Sequence, residues 1–206
     1  MIDRLADVSG RPVSRETFDQ LERFVGILGK VSAEQNLIAS STLGEVWERH
    51  IIDSAQLVRF EPKHAASWID IGSGAGLPGV VIALLTDGPM TLVEPRRLRV
   101  EFLRQVVHEL DLSPRVSVVA GKADKACGKY DVITARAVAP TDRLLGITLH
   151  LSHRGTIWVL PKGRSGNSDL ADAIRTWQGA FRSEQSLTDP EASIMIASQV
   201  QAKGRR

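Results

Sequence analysis

The chain has 206 residues, enough for one domain of ordinary size with a modest addition. Its 26 basic and 24 acidic side chains give a net charge of +2, which is too small to indicate nucleic-acid binding on its own. No apolar run is long enough to cross a bilayer, and the N-terminus lacks the apolar stretch of a signal peptide. The single cysteine, Cys127, excludes an internal disulfide, and no residue spacing predicts a metal site. We therefore expect a cytoplasmic protein that is monomeric and makes no membrane contact.

The first third of the chain has the pattern of a helical segment. Ser14 can cap a helix with apolar residues at positions 18, 21, 24, 25 and 28. The stretch "TLGE", residues 42–45, has the form of a capping box and predicts the start of another helix. We predict that residues 1–64 form a small N-terminal helical extension of a core that spans residues 65–206, and that the two make a single domain.

From Trp68 onward, predicted strands alternate with predicted helices. The strands are "WIDI", "TLVE", "RVSVVA", "YDVITA", "TIWVL" and "ASIMIASQV". The helices are "LPGVVIALL", "DLADAIRTWQGAF" and "RRLRVEFLRQVVHEL", whose apolar face should contain Leu98, Phe102, Leu103, Val106, Val107 and Leu110. This alternation predicts an α/β fold with a mostly parallel sheet and helices on both faces. Ligands in such folds bind beyond the carboxyl ends of the strands.

A glycine-rich loop follows the first predicted strand, where a ligand would bind. Gly72 and Gly74 can adopt positive φ, and Gly76 allows close approach of the backbone. "GAGLPG" fits a dinucleotide fingerprint, whereas "DIGSGAG" fits the acid-x-G-x-G-x-G pattern of S-adenosylmethionine-dependent methyltransferases. Because the strand should end at Ile71, the third glycine of a dinucleotide fingerprint would fall on Leu77. The register therefore favours the methyltransferase pattern, with Asp70 as its acid.

Two later segments are consistent with an adenosine cofactor. Glu94 ends the second predicted strand, where a carboxylate can accept both ribose hydroxyls, although it could also be an acid that stabilises the next helix. In "AGKAD", Asp124 could accept from the adenine amino group and the Ala123 N–H could donate to a ring nitrogen, unless the segment is an ordinary turn.

Five blocks of sequence resemble one bacterial family, in the same order. They are "NLIASS", "RHIIDSAQL", "WIDIGSGAGLPGVVIAL", "LVEPRRLRVEFLRQVVHEL" and "DVITARAVAP". The chain thus resembles the methyltransferases that modify guanine N7 in 16S ribosomal RNA, a family formerly called glucose-inhibited division protein B. The resemblance runs from about residue 36 to residue 162.

The resemblance implies a methyltransferase-type Rossmann fold, S-adenosyl-L-methionine as cofactor, and a guanine in the decoding-region loop of 16S rRNA as substrate. It assigns Gly72 and Leu77 to the cofactor loop, Glu94 to the ribose, and Ala123 with Asp124 to the adenine. Arg136 matches a position where cofactor and substrate meet. Pro161, before Lys162, departs from the leucine or methionine that the family often has there.

Guanine N7 carries a lone pair and no proton, so methyl transfer needs no general base. Arginine is the usual donor to the O6 and N7 edge of guanine, which makes Arg136 the candidate catalytic residue, unless it forms a structural ion pair with a loop acid. Lys162 is a candidate RNA phosphate contact. Further candidate RNA contacts are Arg49, Arg59, Arg96, Arg97 and Arg99.

The residues alone leave three other interpretations open. A nicotinamide-dependent oxidoreductase and a non-catalytic ribosome assembly factor that binds S-adenosylmethionine are alternative functions. His50, Asp53 and Ser54 resemble a catalytic trio, but no nucleophile elbow accompanies them. We expect them to form a polar network that holds their helix against the glycine loop.

Overall fold

The computed structural model describes residues 1–163 and 166–203, and its centre is a seven-stranded sheet. The strands are β1 (Trp68–Ile71), β2 (Met90–Glu94), β3 (Val116–Ala120), β4 (Tyr130–Ala135), β5 (Ser152–Lys162), β6 (Trp177–Gln185) and β7 (Ser193–Ala202). Their order is β3-β2-β1-β4-β5-β7-β6. The first five strands are parallel, whereas β7 runs antiparallel to both β5 and β6. The predicted α/β fold with a mostly parallel sheet is thus confirmed.

The helices cover both faces of this sheet. They are α1 (Ile2–Ser9), α2 (Arg15–Gln35), α3 (Asp53–Ala55), α4 (Gly79–Leu85), α5 (Arg97–Glu109), α6 (Thr141–Thr148) and α7 (Gly166–Thr176). One face packs against α1 to α5 around Phe24, Trp68 and Leu103, and the other packs against α6 and α7 around Leu145 and Trp158. Every residue of α4 is buried, because this helix lies between the sheet and the N-terminal helices.

The N-terminal residues share the core of the sheet. The predicted helix cap at Ser14 is confirmed, since its Oγ accepts a hydrogen bond of 3.0 Å from the Thr17 N–H. Arg11 donates to the carbonyl oxygens of Leu85 and Val58 at 3.2 Å, which ties the chain before α2 to the end of α4. In the described parts of the chain, no helix has both the length and the apolar character that a membrane crossing requires.

Three local predictions are wrong, and one helix was not predicted. Thr42 does not cap a regular helix: its hydroxyl donates back to the Ala39 carbonyl at 2.8 Å, and a 3₁₀ turn (Ser40–Glu45) and a π-helical turn (Trp47–Ile52) precede α3. Leu98 is half exposed and lies outside the apolar face of α5. The last predicted helix ends at Thr176, because residues 177–181 pair with β7 as part of β6. Helix α6 was not predicted, since its eight residues are too few for a clear period.

Candidate active site

The glycine loop bends sharply at the end of β1, between β2 and β4. Gly72 and Gly74 have φ values of +72° and +52°, in the left-handed region that glycine adopts without strain. A Cβ atom on Gly72 would lie 2.6 Å from Cγ2 of Val138. The Gly72 N–H donates to the Val93 carbonyl oxygen at 2.8 Å, which fixes the start of the loop. The path of the loop therefore requires glycine at position 72 and favours it at position 74.

Asp70 lies beneath the loop and is completely buried. Its Oδ2 accepts a hydrogen bond of 3.1 Å from the Gly79 N–H at the start of α4. Burial raises the pKa of this carboxyl to about 6. Asp70 thus supports the loop from below rather than facing a ligand.

Glu94 faces the loop from the end of β2. Its Oε2 accepts from the Gly74 N–H, and its Oε1 accepts from the Arg96 N–H, both at 2.9 Å. Each carboxylate oxygen has about two lone-pair sites, so both oxygens can accept a further hydrogen bond. Glu94 thus accepts a hydrogen bond at the start of α5 and keeps lone pairs that a diol could use, so the two roles considered from the sequence are compatible.

The loop and Glu94 border a cleft with a volume of about 410 Å³, beyond the carboxyl ends of β1, β2 and β4. Seven of the predicted site residues line it, namely Gly72, Gly74, Glu94, Arg96, Arg99, Ala123 and Arg136. Four others do not: Asp70, Gly76 and Leu77 are buried below the surface of the cleft, and Asp124 is exposed outside it. Arg97 also lies outside, where it pairs with Glu101 at 2.7 Å.

Sequence reasoning missed part of this lining. Val138 and Ile147 place apolar surface in the cleft and are 40% and 39% exposed. Lys122 and Arg143 add positive charge. Ile147 and Arg143 belong to α6, so predicting their place would have required that helix.

Arg136 occupies the junction of three cavities. Besides the cleft, it lines a cavity of about 500 Å³ beyond β4 and β5 and another of about 390 Å³ next to α3. Its Nη1 lies 3.7 Å from Oδ2 of Asp53. Burial lowers the pKa of Arg136 below its ordinary value, and the carboxylates of Asp53 and Asp70 oppose this effect. The ion pair with an acid, the structural alternative for Arg136, is thus present together with access to the cleft.

Lys162 lies at the end of β5, in the lining of the two neighbouring cavities. Its Nζ donates to Oδ2 of Asp169 at 2.9 Å, and its side chain is only 11% exposed. It is thus shielded more than a typical surface lysine.

The side chains of His50, Asp53 and Ser54 bond to other groups rather than to one another, so the expected network does not form. The His50 Nε2 contacts the Thr42 hydroxyl at 2.9 Å, and the Ser54 hydroxyl donates to the His50 carbonyl at 2.6 Å. Asp53 instead accepts from Gln56 at 2.8 Å. Burial and the nearby Arg136 and Arg49 lower the pKa of His50 to about 4, so its imidazole is neutral at neutral pH.

The Asp53 contacts cross the molecule to the turn between β6 and β7. Oδ1 of Asp53 accepts from the Thr188 hydroxyl at 2.7 Å, and Oε1 of Gln56 accepts from the Leu187 N–H at 2.8 Å. This network thus ties α3 to the late hairpin and to Arg136, not to the glycine loop as we expected.

The residues of the cleft fit an adenosine cofactor. Glu94 offers a carboxylate to a diol, the missing Cβ at Gly72 leaves room beside Val138, and apolar side chains are exposed where a base could stack. Solved methyltransferases have the same fold. A methyltransferase from Geobacter sulfurreducens aligns with a TM-score of 0.58 at 15% identity, over 85% of this chain and 88% of that one. The fold is thus that of solved methyltransferases, and the cleft offers the groups that an adenosine cofactor would need.

Sequence comparison identifies the family. The family model described as rRNA small subunit methyltransferase G matches residues 17–192, and the chain belongs to this family. A ribosomal RNA small subunit methyltransferase G from Rhizorhabdus wittichii is 48% identical over 96% of this chain and 92% of its own length. The protein of the same name from Zymomonas mobilis is 42% identical, over 94% and 91%. The resemblance found in the sequence is thus confirmed.

Proposed function

We propose that this protein methylates N7 of a guanine in the decoding-region loop of 16S ribosomal RNA, with S-adenosyl-L-methionine as the methyl donor. The observation that carries the proposal is the position of Arg136, which borders both the cofactor cleft and the cavities beside it. The two similar proteins, both named as ribosomal RNA small subunit methyltransferases, support rRNA of the small subunit as the substrate.

Different residues of the cleft would bind different parts of the cofactor. Glu94 would accept hydrogen bonds from the ribose hydroxyls, while the backbone at Gly72 and Gly74 would contact the methionine part. Ala123 would contact the adenine at the end of β3, and Asp124 would have to reach the adenine amino group from outside the cleft. When bound, S-adenosylmethionine supplies an electrophilic methyl group on a sulfonium sulfur. Asp70, Gly76 and Leu77 would act indirectly, by shaping the loop.

The reaction requires alignment of the reacting atoms and no proton transfer. Transfer would use the N7 lone pair to bond the methyl carbon and would leave the electron pair of the broken carbon–sulfur bond on sulfur, so the residues of the site would only have to hold base and cofactor in line. Because N7 has one lone pair, Arg136 must leave it free and donate to O6 instead. Correct alignment of reacting groups can lower a barrier by about 7–11 kcal/mol in favourable cases.

The target guanine must leave its base stack to reach this site. The major groove of A-form RNA is deep and narrow and hides N7. Arg96, Lys122 and Arg143 line the mouth of the cleft with exposed side chains, where they would contact phosphates of the flanking RNA. Arg97 shares this edge, but its charge is paired with Glu101. Arg59 donates to the Asp7 carbonyl at 3.0 Å, which makes it the weakest of the predicted RNA contacts.

The setting of the reaction is part of the same proposal. We place the protein in the cytoplasm, where small subunits are assembled, and we infer that residues 1–206 act as a monomeric single domain. In that domain, residues 1–64 would be an extension of the core.

Labelled S-adenosylmethionine and small subunits that lack the modification test the function. We expect label in 7-methylguanosine after nucleoside analysis, and loss of transfer with Arg136→Ala while the fold stays intact. Label on another atom would refute N7 as the target. Binding of rRNA and cofactor with no transfer to any rRNA form would instead favour the non-catalytic assembly factor. Heat stabilisation by NADH alone would favour an oxidoreductase.

A further inference from the structure

The cavity beyond β4 and β5 adjoins the cofactor cleft more closely than any other described cavity. The two share the loop of residues 136–139, which forms a wall of both. Its volume, about 500 Å³, lies in the range of small-ligand sites. A base that receives a methyl group from the cleft must lie next to it, with its N7 in line with the methyl carbon and the sulfur and with nothing between them. The lining residues that the two cavities share make this cavity the best candidate for the extruded base.

A cation and a carboxylate stand side by side in this cavity. The Lys162 Nζ lies 2.9 Å from Oδ2 of Asp169, and the side chains are only 11% and 26% exposed. The Thr141 hydroxyl is 3.5 Å from the same oxygen, so it adds little to holding the carboxylate. A carboxylate has about four lone-pair sites, so Asp169 can accept further hydrogen bonds while it pairs with Lys162.

Of the two purines, this pairing matches one. Along its Watson–Crick edge, guanine presents the O6 acceptor next to the N1–H and N2–H donors. Adenine presents the reverse, an amino donor next to the N1 acceptor. A lysine beside a carboxylate is complementary to guanine and would place donor against donor with adenine.

We propose that Lys162 and Asp169 form the guanine-reading pair of this enzyme, with Lys162 donating to O6 and Asp169 accepting from N1–H and N2–H. This inference rests on the proposed function and deepens it. O6 has two lone pairs, one on the N1 side and one on the N7 side. Lys162 would occupy the first and Arg136 the second, which leaves N7 free to react. Lys162 then contacts the base instead of the phosphate predicted from the sequence.

The test compares guanine with inosine at the target position of ligated rRNA. Inosine keeps O6, N1–H and N7 but lacks the N2 amino group. We expect the wild-type kcat/KM to fall about tenfold to a hundredfold with inosine, the discrimination expected of a good base contact. Asp169→Asn should lower the rate with guanine and bring the guanine-to-inosine ratio close to one. Lys162→Met should lower both rates and keep the ratio, since both bases carry O6.

Asp172→Asn is the matched control, because Asp172 lies on the same helix, is exposed and pairs with Arg175 at 3.2 Å. It should keep the wild-type rates and ratio. Equal wild-type rates with guanine and inosine, or an unchanged ratio in Asp169→Asn, would overturn the guanine-reading pair while the proposed function stands. If the wild type forms no 7-methylguanosine at all, the proposed function fails and this inference fails with it. A folded state and cofactor affinity like those of the wild type, measured on each variant, separate loss of reading from loss of structure.

Discussion

Asp53 faces Arg136 with one carboxylate oxygen while the other is fixed by two hydrogen bonds. Oδ2 lies 3.7 Å from the guanidinium, and Oδ1 accepts from Gln56 at 2.8 Å and from Thr188 at 2.7 Å. Because both bonds hold Oδ1, the carboxylate cannot turn away from the arginine. The orientation of Arg136 thus depends on α3 and on the turn between β6 and β7, which are far apart in sequence.

We therefore predict that Asp53→Asn slows methyl transfer by about tenfold or more, since a misplaced reacting group costs that much or more. Cofactor affinity should change little, because Asp53 does not line the cofactor cleft. Single-turnover rates and calorimetric titration measure the two effects separately. Thr188→Val should have a smaller effect in the same direction, and Thr188→Ser, which keeps the hydroxyl, should restore the rate. A wild-type rate in Asp53→Asn would show that Arg136 needs no such support.

The loop contact of Glu94 predicts a defect in cofactor binding. Glu94→Gln replaces a charged acceptor of the Gly74 and Arg96 N–H groups by a neutral one. Hydrogen bonds to charged groups contribute about 1.5–3 kcal/mol, so S-adenosylmethionine should bind roughly tenfold to a hundredfold more weakly. Calorimetry with the cofactor measures this change. The control is Glu101→Gln, an exposed partner of Arg97, and a similar loss in both variants would contradict a specific role for Glu94.

The backbone at Gly72 predicts a defect in stability and in binding together. Gly72→Ala adds a Cβ at positive φ, which costs about 1–2 kcal/mol, and places it 2.6 Å from Val138. The midpoint of denaturant unfolding and the cofactor affinity should both fall. Gly29→Ala is the matched change in α2, where nothing lies within 4 Å of the new methyl group. It should raise the unfolding free energy by about 0.5–1 kcal/mol and leave activity unchanged.

Buried Asp70 predicts a particular dependence of stability on pH. Its pKa is about 6 in the folded protein and 3.8 in the unfolded chain, so the folded state binds the proton more tightly. The unfolding free energy should therefore decrease as the pH rises from about 4 to about 6, by an amount on the order of 3 kcal/mol from this group. Asp70→Asn removes that titration. Urea unfolding from pH 4 to pH 7 measures the unfolding free energies of wild type and variant. As the pH rises, the variant should become more stable relative to the wild type. A constant difference would show that Asp70 has an ordinary pKa.

The parts of the site that follow strand ends could be predicted from the sequence. Gly72, Glu94 and Arg136 come directly after β1, at the end of β2 and after β4, and parallel strands bring their carboxyl ends to one edge. Contacts across the chain could not be predicted. Asp53 and Thr188 are 135 positions apart, and no periodicity connects them. Burial could not be predicted from a motif either. The motif that contains Leu77 does not show that this side chain is buried in the core.

The place of β7 in the sheet affects how the chain folds during synthesis. Although β7 is formed by residues 193–202, it lies inside the sheet, between β5 and β6. Until those residues leave the ribosome, β5 has an open edge and β6 has no neighbour, and open edges favour aggregation. Chains that are interrupted before Ser193 should therefore be insoluble or rapidly degraded, although they contain the whole glycine loop and Glu94.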